Sequence, residues 1–159
     1  MNKHKIKLPK ITNKRSLSRL IAVQILYQYQ FFESSEDLEG LKQKLLDEYL
    51  LNSDDEISSY KDKVDLDLLD SLVAAAEHLS ALDEKISACL DEKYRVEDLD
   101  PVILQILHLA SFELINFPET PVKVVINEYV DIAGSFFDKR KVTFCNAVIE
   151  KIAINLRRL

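Results

Sequence analysis

The segment Leu20–Tyr27, LIAVQILY, is apolar almost all the way round a helical wheel. A helix with no polar face has to be surrounded by protein or by lipid. No run in the sequence approaches the roughly 18 apolar residues that a membrane span needs, so no membrane is expected and the rest of the chain must supply the surround. The helix enters that interior through a cationic end, since Lys14, Arg15 and Arg19 open the stretch KRSLSRLIAVQILYQYQ. A buried rod with a basic mouth therefore constrains every other element.

Those other elements read as helices too. Two glycines and four prolines in 159 residues leave few breaks, and the abundance of Leu, Ile, Ala, Lys and Glu favours helix. Thr12 or Asn13 can cap the first helix, which should reach about Phe32. Residues 1–13 read as a flexible basic arm, and residues 14–159 as one helical domain. Leu41, Leu45, Leu46, Tyr49 and Leu50 recur at helical spacing, followed by a polar loop over residues 52–63. From Asp65 to Leu90 the apolar positions Leu69, Leu72, Ala76, Leu79, Ile86 and Leu90 alternate by threes and fours. One long helix is the preferred reading; the other has Ser80 capping a second helix. Asp100-Pro101 is a strong helix start, Pro118 a stop, and Thr120-Pro121 a repeat of the start signal. A last helix spans about Lys139 to Arg157, with Cys145, Val148, Ile149, Ile152 and Leu156 inward. The expected fold is all-α.

Charge is unevenly spread along the chain. The formal net charge is −6, but residues 1–32 carry +7 with no acid, residues 33–101 carry −14, and residues 102–159 carry +1. A basic arm on an acidic body is the usual electrostatic footprint for phosphate; an ordinary solvated tail is the plainer reading. Cations in the first turn of a helix also oppose its dipole, at about 0.3–1 kcal/mol each, and a bound phosphate would supply the missing counter-charge. A second feature sits on the last helix. Phe144 lies at the edge of the apolar stripe, with Arg140 four residues before it and Lys151 seven after, on the same side. An aromatic between cations suits base stacking on phosphate-binding ground. A peripheral core phenylalanine is the bland alternative.

Catalytic chemistry finds no foothold. Gly40 and Gly134 are isolated and build no phosphate loop. His4, His78 and His108 share no metal-ligand spacing, and His108 reads as a satisfied structural side chain. Cys89 and Cys145 form neither a disulfide framework nor a metal motif, and Cys145 reads as a small core residue. No enzyme, no cofactor and no metal site are expected, and the cytosol is the default compartment.

Three stretches resemble the NusB family of bacterial transcription antitermination factors: RLIAVQILY (19–27), ILHLASFEL (106–114) and PVKVVINEYVDIAGSFFDKRKVTFCN (121–146). The last is the specific one, with Lys123, Ile126, Asn127, Glu128, Ala133, Phe144 and Asn146 in register. The resemblance implies two packed helical subdomains of about seven helices. It further implies binding of boxA-type single-stranded RNA together with NusE, a small-subunit ribosomal protein, within the RNA polymerase antitermination complex. Arg15 and Arg19 match the family's arginine-rich segment, Tyr27 its tyrosine, and Phe144 the aromatic of its KFVNG motif. Ser16 and Leu17 stand where arginines can occur, Thr143 and Ala147 replace the motif's lysine and glycine, and His108 stands where arginine is usual. Arg140 and Lys141 restore positive charge one turn earlier. The expected RNA-binding set is thus Lys14, Arg15, Arg19, Tyr27, Arg140, Lys141, Phe144 and Lys151. The same fold serves as an appendage of rRNA methyltransferases; no catalytic domain follows Leu159, so methyl transfer is not expected. A helical protein-interaction module without direct RNA binding is the alternative function.

Overall fold

Asn13 starts the first helix. Its side-chain oxygen accepts the Arg15 backbone N–H at 2.8 Å, satisfying one of the donors that a helix start leaves open. In the computed structural model, which describes residues 13–31, 37–51 and 63–157, this helix, α1, runs Lys14–Tyr29. It is followed by α2 (Leu38–Leu51), α3 (Leu66–Val73), a 3-10 turn (Ala74–Glu77), α4 (Leu79–Ser87), a second 3-10 turn (Val96–Asp98), α5 (Pro101–Asn116), α6 (Val122–Phe136) and α7 (Lys139–Arg157). No described residue is in a strand, so the all-α expectation holds. No helix among the described residues is long and apolar enough to cross a membrane. Residues 1–12 of the basic arm and most of the polar loop, residues 52–62, lie outside the described residues.

The helices fall into two compact units, residues 11–74 and residues 75–159. In the first, α1 packs on α2 and α3. Every residue from Ser18 to Leu26 is buried, as the all-round apolar pattern requires. Asp65 ties two helix starts together. Its side chain caps α3 by accepting the Leu68 N–H at 3.0 Å, and its own backbone N–H donates to Ser18 Oγ at 2.9 Å.

In the second unit α5 is the central rod, packed on α4, α6 and α7. Asp100 caps it, accepting from the N–H groups of Val102 and Ile103, and Pro101 occupies the first helical position, where a missing N–H costs nothing. Burial covers α5 from Val102 to Leu114 on nearly every side. Most polar residues inside it are engaged: Glu113 accepts from the Tyr129 hydroxyl of α6 at 2.8 Å, and His108 bridges Gln105 and Asp83, while the buried Ser111 hydroxyl meets no partner among the described residues.

Two expectations need correction. Residues 66–90 form two helices, not one: the chain tightens into the 3-10 turn and breaks at His78 (φ −126°, ψ 19°), two residues before Ser80. Nor does Thr120 cap α6. Pro121 precedes that helix without a side-chain capping bond, and Thr120 is buried in the turn.

Candidate nucleic-acid interface

In the first unit the candidate residues spread along α1 instead of gathering. Lys14 and Arg15 are exposed in the first turn. Arg15 Nη1 stands 3.5 Å from Asp65 Oδ2, so part of the counter-charge that this helix start calls for comes from the protein itself. Tyr27 lies about 20 Å further along the helix at 1.5 Å per residue, half-buried, with its ring edge-on to Phe31 at 5.3 Å. Arg19 departs furthest from the expectation. It is 1% exposed and ranks among the largest fully buried side chains. A guanidinium in that position cannot be an open contact for phosphate, because the helix is enclosed on the side Arg19 occupies. The basic mouth of α1 is therefore Lys14 and Arg15, with Arg19 behind it as part of the interior.

In the second unit the expected stripe on α7 is present and better furnished than the sequence suggested. Arg140, Lys141 and Lys151 are exposed, and Phe144 is half-buried. Cys145, Val148, Ile149, Ile152 and Ala153 turn inward beside it and hold the helix to α5 and α6, which leaves Phe144 on the rim. The turn after α4 closes over this rim. The Tyr94 N–H donates to the Asp91 carbonyl at 2.9 Å. From that turn Tyr94 meets Phe144, ring centroids 5.4 Å apart and planes at 60°. Asp91 reaches Lys151, 3.7 Å away and two helical turns beyond Phe144, and Lys93 Nζ lies 5.4 Å from the centre of the Tyr94 ring. At the start of α7, Lys141 Nζ sits 5.0 Å over the Phe137 ring. Three lysines and an arginine thus surround a rim of aromatic rings.

Sequence reasoning missed Tyr94 and Lys93. Both lie in an irregular turn with no periodicity to place them against α7; the one available signal was the spacing of an aromatic and two bases in EKYRV.

The buried titratable groups nearby are structural. Burial pushes the Cys145 thiol up to about 12, with the Asp100 carboxylate acting in the same direction, so it stays protonated and unreactive. Burial likewise raises the Cys89 thiol, opposed by the hydrogen bond from Asn155 and by the Lys151 charge. For His108, burial lowers the pKa and Asp83 pulls it back only in part.

Comparison with known proteins gives these features a context. A family model described as the NusB family matches residues 16–154. The transcription antitermination protein NusB of Rickettsia typhi is 34% identical over 147 residues, covering 89% of this chain and 92% of that protein. Its counterpart in Bartonella tribocorum is 34% identical over 154 residues, covering 94% of each. Among solved structures, T. maritima NusB superposes with a TM-score of 0.70 at 28% identity, covering 94% of this chain and all of that one.

Proposed function

This chain belongs to the NusB family, and we propose that it is an RNA-binding transcription antitermination factor that binds boxA-type single-stranded RNA together with the ribosomal protein NusE. It acts as a scaffold in the RNA polymerase antitermination complex in the cytoplasm and catalyses no reaction. The observation that carries the RNA reading is the Phe144 rim, an aromatic pair set among Lys93, Arg140, Lys141 and Lys151. Unpaired bases can splay out and stack on such rings, and the surrounding cations hold the backbone. In the first unit, exposed Lys14 and Arg15 are phosphate contacts in their own right. Arg19 supports α1 from within, and Tyr27 shapes the far end of that helix. Exposed Glu97 and Asp98, in the 3-10 turn after Tyr94, suit the basic ribosomal partner.

Filter binding across a salt series tests the proposal. Six phosphate contacts at about −0.7 each give a slope of log affinity against log salt of roughly −4. Phe144→Ala should lower affinity for a boxA-like strand, and Lys14→Ala with Arg15→Ala should flatten the slope by roughly 1.4. Salt-independent binding that is indifferent to all three substitutions would refute the interface. Retention of a ribosomal protein after RNase treatment, in the absence of any RNA affinity, would instead favour the protein-interaction module.

A further inference from the structure

Tyr94 belongs to no helix and no amphipathic stripe, yet at 42% accessibility it is among the exposed large hydrophobic side chains of its unit. An exposed aromatic is usually free to move; this one is fixed. Its backbone is held by the turn bond to Asp91, and its ring lies against Phe144 and beneath Lys93. The 60° tilt between the rings rules out two parallel stacking surfaces. It makes Tyr94 a wall standing beside Phe144, so a base lying on Phe144 would bring its edge towards that wall. The Tyr94 hydroxyl, both donor and acceptor, is engaged by no described residue.

We infer that Tyr94 is the base-reading member of this site: Phe144 stacks one unpaired base, and the Tyr94 hydroxyl hydrogen-bonds the edge of that base. Lys93, held at the Tyr94 ring, contacts the adjoining phosphate. The inference rests on the reading of this face as an RNA interface and adds the residue that confers sequence preference there. Stacking alone is tolerant, since every base has a π-face. A hydroxyl that both donates and accepts selects by position: it favours a base that brings a polar edge atom to its place over one that leaves it unpaired. The ligand class is an unpaired nucleotide, whose edge is free, and not a duplex.

The test compares Tyr94→Phe, Tyr94→Ala and Phe144→Ala in the full-length protein, using a labelled boxA-like single strand and its scrambled counterpart. Tyr94→Phe keeps the ring and its packing and removes only the oxygen. It should cut the preference for the boxA-like strand about three- to tenfold, the worth of one net hydrogen bond, and leave binding of the scrambled strand unchanged. Tyr94→Ala should weaken both strands, since Phe144 loses its wall. Far-UV circular dichroism confirms that each variant is folded. Unchanged strand preference in Tyr94→Phe overturns the inference. If Phe144→Ala still weakens binding in that case, the interface stands and only the role of Tyr94 is wrong. If Phe144→Ala also binds normally, the interface reading fails and the inference fails with it.

Discussion

Arg157, in the last turn of α7, offers a sharp test of how the second unit is held together. Its guanidinium donates to three backbone carbonyls, from Nε to Leu114 at 3.0 Å, from Nη2 to Phe117 at 2.8 Å and from Nη1 to Thr120 at 2.5 Å. All three line the end of α5 and its link to α6. The Leu114 carbonyl would ordinarily accept from the residue four positions on, but that residue is Pro118, which has no N–H. Arg157 supplies the missing donor from across the fold and sets a cation at a helix C-terminus, where the dipole favours one. Hydrogen bonds to charged groups are each worth about 1.5–3 kcal/mol, and they do not add fully within one network. We therefore expect Arg157→Ala to cost about 2–4 kcal/mol. Arg157→Lys, a point donor without the planar fork, should recover about 1 kcal/mol of that. At 2–4 °C per kcal/mol for a chain of this size, the melting point of Arg157→Ala should fall by about 4–16 °C. Urea unfolding followed by far-UV circular dichroism and tyrosine fluorescence suits the assay, since the sequence has no tryptophan. Arg157→Met is the necessary control, because it keeps the aliphatic stem. If Arg157→Met is as stable as the parent protein, stem packing and not carbonyl capture does the holding, and the reasoning is wrong.

Two further outcomes follow from charge. The folded-state pKa of His108 is lowered by burial, so its stability contribution is complete above the ordinary value of about 6.5 and is lost as pH falls through the folded value, the unfolded chain taking up the proton first. The urea midpoint should drop on acidification below about pH 6.5, and His108→Gln should reduce that slope; an identical slope in the variant would exclude His108 as a source. Asp91 pairs with Lys151 in a contact where both side chains are more than half exposed, so Asp91→Asn should release a cation to the proposed RNA face. Affinity should rise by up to about fivefold at low salt, the upper range for an exposed pair, with the gain fading as salt is added; weaker binding at low salt would show that Asp91 contributes to the site.

Local signals on the chain account for much of the fold. Asn13 and Asp100-Pro101 start their helices because short side-chain oxygens and a prolyl ring satisfy backbone needs that no neighbour can meet. The break between α3 and α4 was hidden for an equally local reason. Ala74, Ala75 and Ala76 favour helix, and a 3-10 turn keeps apolar residues three apart on the inside, so the pattern of threes and fours runs through a bend that tertiary packing imposes. Arg19 shows a related limit. A wheel projection gives a residue's direction but not what encloses the helix there, and a cation near a helix start is exposed by default. At the interface, Phe144 could be found from its stripe on α7. Tyr94 and Arg157 could not, because each acts on a segment distant in sequence and makes no pattern of its own.

The contacts of Arg157 also bear on the order in which the molecule can be completed during synthesis. The helix contacts that join α1, α2 and α3 lie wholly within residues 11–74, so that part has its own partners in hand while the ribosome is still making the rest. The α5–α6 link has a wait of its own. Its carbonyls at Leu114, Phe117 and Thr120 wait for a donor 37 to 43 residues further along, and α5 must remain uncovered by α7 in the meantime. A long apolar rod is thereby left open until α7 is made, as α1 is left open until Asp65 arrives 47 residues after Ser18, and each interval exposes apolar surface to aggregation.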